Sequence, residues 1–397
     1  KFSSFLSFMD TLEDVSRALL GSDEDDSTVW CIAWHPEGKL IASCGQGVVV
    51  RFWSSESGGW RQVGELDANE HSRTIRSLAW RGDGDFLAVG SFDSNASVFR
   101  VVRTEKGMQF PKVTRLEGHE NEVKGVAWST SGEFLATCSR DKSIFIYDVC
   151  PADDGCEVEY EVSGVVSHNQ DVKTVVWHPK EDMLFSGSYD DTIKIWGHSG
   201  DDWDCIHTLG GHISTIWSLA ISPDGDEFAS CSQDRTVKIW SKASTTSQMA
   251  VRQPDPFALL RAASAGAGAF SAIRGYLHRQ WSRSGQQQSP ANSSVWSCVA
   301  TLQGYHKRPI LAVTWLPGLD GCIATASGKA IRVFRRVGEG IERSWCLQMV
   351  QEMAHSLDVN HVTWSPSCGD SEAGALLASC GDDGTVKVWR YKSDMWV

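Results

Sequence analysis

Residues 116 to 147 read LEGHENEVKGVAWSTSGEFLATCSRDKSIFIY, and the order of apolar and polar positions in that stretch predicts three short strands. Apolar side chains alternate with polar or small ones from Val123 to Trp128. A turn follows over Ser131 and Gly132, a second run spans Phe134 to Ser139, and a polar turn at Arg140 to Ser143 leads into a third run ending on Tyr147. Runs this short, rich in β-branched and aromatic residues and bounded by Gly, Ser and Asp, are strands of a half-buried sheet rather than helix turns.

The rest of the chain is largely this unit with variations. A Gly-His pair opens it; 22 positions separate His119 from Asp141, and 6 separate Asp141 from Tyr147. The same intervals recur at His168, Asp190 and Trp196, at His212, Asp234 and Trp240, and at His71, Asp93 and Phe99. At His355, Asp383 and Trp389 the first interval is 28, the added residues falling in the turn SCGDSEAG, where insertion is tolerated. Two degenerate copies run through His306, Gly328 and Phe334 and through Trp30, Gly47 and Trp53. Aromatic strand ends at 53, 99, 147, 196, 240, 334 and 389 therefore predict an all-β chain folded as a seven-bladed WD40 β-propeller.

A ring needs closing. The chain ends just after the third strand of the last blade, so the missing outer strand is expected from the N-terminal segment, with Val15 to Leu20 as that strand and residues 1–14 as an extension. The serine-broken stretch KFSSFLSFM, with no small-residue cleavage site after it, does not read as a secretory signal. Residues 15–397 then form one propeller, interrupted by an Ala/Ser/Gly/Gln/Arg-rich insertion at 241–294 between the third and outer strands of blade five. That insertion carries six basic residues against the single acid Asp255. It reads as a loop, with a basic docking arm as the alternative and a marginal helix over 257–279.

The repeated polar residues suit a buried relay, in which a loop histidine, a strand Ser or Thr, a turn aspartate and a strand-end indole satisfy one another's hydrogen bonds. Full sets are His168, Ser186, Asp190, Trp196; His212, Ser230, Asp234, Trp240; and His355, Ser379, Asp383, Trp389. The blade of His119 and Asp141 has Tyr147 in place of the indole, and Gly47 leaves blade one without a turn aspartate. A Ser-His-Asp catalytic triad is the competing reading, but recurrence blade after blade is how a staple behaves, and a nucleophile needs an exposed, activated hydroxyl.

A formal charge of −13 argues against direct nucleic-acid binding, which draws on Lys and Arg against phosphates, and favours protein partners. No apolar run is long enough to span a bilayer as a helix. Of twelve cysteines, Cys44, Cys138, Cys231 and Cys380 share one second-strand slot, and no Cys-x-x-Cys occurs. They read as small buried hydrophobes in a reducing compartment, with no metal or cofactor site.

The turn position before each aspartate places Gln46, Phe92, Arg140, Tyr189, Gln233, Ser327 and Asp382 on the face of the histidine loops, and an arginine among aromatic neighbours suits a partner-binding hot spot. The alternative is that Arg140 only pairs with a nearby acid, Glu120 or Glu122. Beyond the repeat signature, LEGHENEVKGVAWS (116–129), LATCSRDKSIFIYDV (135–149), SHNQDVKTVVWHP (167–179), DDWDCIHTLGGHISTIWSLA (201–220) and LASCGDDGTVKVW (377–389) closely resemble the WD40 protein of cytosolic iron-sulfur protein assembly; LQGYHKRPILAVTW (302–315) is similar to its sixth blade. The resemblance implies a non-enzymatic adaptor of the assembly targeting complex, a monomeric propeller within a hetero-complex that includes a small acidic subunit and a HEAT-repeat adaptor and serves apo iron-sulfur clients in the cytoplasm and nucleus. It also implies that Arg140 matters for function. Gly47 and the shortened 327–329 turn depart from the family's aspartate-bearing turns, which weakens the case for contacts on blades one and six. A generic WD40 scaffold, in ubiquitin ligation or RNA processing, stays open beside it.

Overall fold

The computed structural model describes residues 11–15, 19–20, 28–55, 59–105, 107–151, 158–200, 202–242, 295–318, 321–338, 344–366 and 374–392. Residues 1–241 and 298–397 form one compact unit, and 242–297 a second. The helix over 257–279 and, past Lys242, the basic arm lie outside the described residues.

Seven antiparallel sheets follow one another in chain order. Blade three is typical: Val123–Trp128, Phe134–Ser139, Ser143–Pro151 and Val158–Ser167 lie side by side in sequence order, so every connection within the blade is a hairpin. The second strand of each blade is the most buried, as in Phe86–Ser91, where every residue is inside. Small and branched side chains dominate there because both faces pack on neighbouring blades.

The core is accordingly divided into wedges between blades. One wedge joins Cys31, Val50 and Phe52 of blade one to Ile75, Trp80 and Phe99 of blade two; another joins Leu135 and Tyr147 of blade three to Ala88 and Val98 of blade two. Some of the indoles ending the inner strands reach back one blade: Trp80 Nε1–H donates to Ala33 O at 3.2 Å, and Trp177 Nε1–H to Ala127 O at 2.9 Å. On the face opposite the histidine loops, His35 Nε2 lies 3.2 Å from Gly84 O and His178 Nε2 lies 3.0 Å from Gly225 O, two further latches between successive blades. Gly84 has φ +80 and its missing Cβ would fall on the His35 ring, so both backbone and space require glycine there.

Ring closure occurs at the last blade, with different bounds from those expected. Thr11–Asp14 pairs antiparallel with Thr385–Lys392, Thr11 opposite Lys392 and Asp14 opposite Trp389. Val15 N–H donates to Val388 O at 2.9 Å, and Leu19–Leu20 forms a separate short pairing opposite Val386 and Thr385. Residues 11–14 are thus the closing strand rather than extension. The strand begins earlier than expected because Leu12 already packs against the core between blades six and seven, while Val15 packs on the core between blades seven and one. Trp34 Nε1–H completes the closure, donating to Thr363 O of blade seven at 3.1 Å.

Two other features depart from expectation. A small hairpin, Val102–Thr104 with Gly107–Gln109, is inserted between the third strand of blade two, Ala96–Arg100, and its outer strand, Lys112–Leu116; beyond it Phe110 stacks on Phe52 of blade one with ring centroids 4.5 Å apart. In blade five the third strand, Val237–Lys242, runs one residue past the expected start of the insertion, and the outer strand is Trp296–Leu302.

Candidate functional site at the channel mouth

The relay residues meet at hydrogen-bonding distance. In blade four His168 Nε2 lies 2.7 Å from Ser186 Oγ and Nδ1 3.0 Å from Asp190 Oδ2, while Trp196 Nε1–H donates to the same Ser186 Oγ at 2.8 Å. Blade five repeats this with His212 to Ser230 at 2.7 Å, His212 to Asp234 at 2.8 Å and Trp240 to Ser230 at 2.9 Å. In blade seven His355 to Ser379, His355 to Asp383 and Trp389 to Ser379 measure 2.8, 2.9 and 2.8 Å. His119 reaches Thr137 Oγ1 and Asp141 Oδ2, both at 2.8 Å, with Tyr147 where the indole stands elsewhere. Burial alone would raise Asp190, yet hydrogen bonds from His168, Thr192 and the Asn169 N–H hold its carboxyl well below the usual range.

Broken relays show what each member does. Blade two has Val89 and Phe99 at the Ser and Trp positions, so His71 keeps Asp93 at 3.0 Å while its buried Nε2 has no partner. Blade one has neither His nor Asp and keeps only Trp53 Nε1–H donating to Ser43 Oγ at 2.8 Å. In blade six burial, with Arg332 adding, lowers the His306 imidazole to about 3, its Nδ1 unpartnered.

These relays pin the loops of one face, and six of the predicted turn residues occupy equivalent places on it. The backbone N–H groups of Gln46, Phe92, Arg140, Tyr189, Gln233 and Asp382 donate to Thr28, Thr74, Glu122, Asp171, Thr215 and Asp358 O at 2.9 to 3.1 Å. Ser327 does not join them. Its hydroxyl donates to Arg308 O as Ser139 does to Asn121 O, and it pairs directly with Ala330 across a turn of only Gly328 and Lys329. Ser327 is therefore the counterpart of Ser139, and the turn that the sequence already reads as shortened has no residue equivalent to Arg140.

Arg140 is 55% exposed and lies 3.4 Å from both Glu122 oxygens and 3.9 Å from Asp171. Glu122 also receives Arg73 at 3.4 Å, so the pairing with an acid and an accessible guanidinium coexist. Burial raises the Glu122 carboxyl, but its own N–H, Lys124 and Arg140 more than offset it and hold it ionised. Tyr189, at 57% exposure, lies beside Lys173, whose ammonium is 5.6 Å from the Tyr189 ring and 5.4 Å from that of Trp217. Lys124 Nζ sits 3.9 Å from the Phe92 centroid, Trp217 Nε1–H donates to Gln233 Oε1 at 3.0 Å, and Asn360 Nδ2 donates to Asp382 Oδ1 at 2.8 Å.

The partners of the turn residues were missed by strand alternation, and their origin is specific. Register shifts fall between Val29 and Cys31, Ile75 and Ser77, Val123 and Gly125, Val172 and Thr174, Ile216 and Ser218, and Val359 and His361. The bulged residues are Trp30, Arg76, Lys124, Lys173, Trp217 and Asn360, one at the start of each of six inner strands. Such a bulge re-aims one side chain, here toward the channel mouth. The signal was present in the repeats as a column of large polar or aromatic residues directly after a buried Val or Ile.

Seven closed sheets, serine-centred relays and a rigid face of turn residues define a WD40 propeller, a protein-interaction fold; a family profile described as "WD domain, G-beta repeat" matches residues 17–54, 60–100, 110–148, 161–197, 203–241 and 346–390, leaving degenerate blade six unmatched. Relatives are more specific. The chain is 37% identical over 370 residues to the probable cytosolic iron-sulfur protein assembly protein Ciao1 of Culex quinquefasciatus, covering 92% of this chain and 95% of that one. It is 38% identical to the homologue of Chlamydomonas reinhardtii, covering 96% and 98%, and 32% identical to that of Caenorhabditis elegans, covering 94% and 96%. The chain belongs to this family of WD40 cytosolic iron-sulfur protein assembly proteins.

Proposed function

We propose that the chain is a non-enzymatic adaptor in cytosolic iron-sulfur protein assembly, helping to deliver clusters to cytosolic and nuclear apoproteins. It holds a small acidic assembly subunit, a HEAT-repeat adaptor and client proteins, and the channel-mouth face around Arg140, Phe92 and Tyr189 is part of what they grip. One observation carries the site: a half-exposed guanidinium, tethered by Glu122 and 3.9 Å from Asp171, whose carbonyl receives the N–H of the exposed Tyr189, on loops pinned by the relays. An anchored Arg with an aromatic neighbour loses little side-chain entropy on binding, the property that makes a hot spot. Against catalysis stands the serine itself, since Ser186 and Ser230 are fully buried and each already accepts an indole N–H.

The test is affinity capture of the tagged chain followed by mass spectrometry, with Arg140→Glu alongside. The expected result is recovery of the HEAT-repeat adaptor and the small subunit, with partner or client recovery reduced about tenfold or more in the variant, the effect of losing one hot-spot residue. Its melting temperature should stay near that of the parent. Recovery of a ubiquitin-ligase or spliceosomal set instead, or collapse of the variant's fold, would overturn the reading.

A further inference from the structure

All seven inner strands contribute to a central cavity of about 260 Å³. Its lining contains Arg76, Lys124 and Lys173 but no Asp or Glu, in a chain whose formal charge is −13. Lys173 has Asp171 at 3.2 Å. Arg76 and Lys124 form no ion pair or hydrogen bond with a described residue and rest instead on aromatic faces, Arg76 at 5.3 Å from Trp30 and Lys124 at 3.9 Å from Phe92. Burial lowers the Lys124 ammonium to about 8; Lys173, Arg76 and Arg140 add to this against the pull of Glu122. Three like charges thus share one enclosure, two of them in no ion pair with a described residue, Glu122 acting on Lys124 only from farther off, and a multivalent anion is what would relieve them.

We propose that this cavity is a binding site for a small free oxyanion of the phosphate or diphosphate class, held by Arg76, Lys124 and Lys173. These side chains belong to blades two, three and four, so a bound ion would tie three successive blades together at the channel. The site is independent of the adaptor reading. Cation–π contacts aim the charges without neutralising them, so the site is prepared for the ion.

The experiment is thermal denaturation and isothermal titration calorimetry of the full chain with phosphate and diphosphate, against chloride at equal ionic strength, at pH 7 and pH 9. The expected result is a saturable rise in melting temperature and measurable heat with diphosphate, less with phosphate, and none with chloride. Lys124→Met and Arg76→Gln should each weaken diphosphate about tenfold or more, as loss of one charge-assisted hydrogen bond does. Lys142→Met, on a turn outside the cavity lining, should not. Between pH 7 and pH 9 the advantage of the parent over Lys124→Met should shrink, because both bind the same increasingly ionised anion but only the parent loses the Lys124 charge. Arg76 is half-buried on an inner strand, where replacement also costs packing, so Lys124→Met with an unchanged melting curve is the deciding variant. No saturable binding beyond chloride, or undiminished binding in Lys124→Met, or equal loss in Lys142→Met, would overturn the proposal.

Discussion

Asp190 accepts hydrogen bonds from His168, from Thr192 and from the Asn169 N–H, so its removal leaves a buried imidazole and a loop amide unanswered. Asp190→Ala should cost about 1–3 kcal/mol, the usual penalty for an orphaned buried donor, and chemical denaturation measures it directly. An unchanged midpoint would mean that the relay contributes nothing. The sign with pH follows from the lowered carboxyl: Asp190 contributes stability at and above neutral pH, and the contribution is lost as pH falls through the ordinary carboxylate range near 3.8 and below. His306 behaves in the same sense for a different reason. Its folded-state imidazole is lowered from 6.5 to about 3, so the unfolded chain binds the extra proton between those values. Stability is complete above 6.5 and falls on acidification by up to about 1.4 kcal/mol per pH unit from this residue. Denaturation curves of His306→Gln between pH 7 and pH 4 should be flatter than those of the parent, and an equal slope would contradict the assignment. Residue identity and spacing made the relays legible, because a repeated interval of 22 is a local property of the chain.

The closing strand is the element on which the ring depends. Thr11–Asp14 covers one edge of Thr385–Lys392, and without it that edge presents unpaired backbone groups to any other chain. Deleting residues 1–20 should lower the melting temperature and produce self-association visible by light scattering; a monomer that melts normally would show that Trp34, bonded to Thr363, is sufficient for closure. The need for such a strand could be read from the chain, since the last blade is one strand short, but its position could not. Val15 to Leu20 looks more strand-like by composition, whereas the strand begins early enough to seat Leu12, whose core site is formed by residues from blades six and seven. Blade six teaches a related lesson. Its interval from His306 to Gly328 equals that of intact blades, yet the strand-to-strand register makes Ser327 the counterpart of Ser139. The shortened turn is visible in the sequence, but only cross-strand pairing assigns Ser327 to the strand end rather than to the turn.

Taken as a whole, the propeller uses its charges unevenly. A chain with a large negative total carries Arg73, Arg76, Lys124, Arg140 and Lys173 around one end of its channel, interleaved with Phe92, Tyr189, Trp217 and Trp30. That arrangement is the basis for both the Arg140→Glu capture experiment and the oxyanion titration, which probe the rim and the interior of the same mouth. The sequence by itself determined the blades, their number and the relay partners, because alternation, turn residues and fixed intervals are set by covalent neighbours. Only the tertiary structure decided which side chains share the channel mouth. Bulges at six inner strands break the alternation that sequence reasoning relies on, and residues from separate blades become neighbours only after the ring has closed.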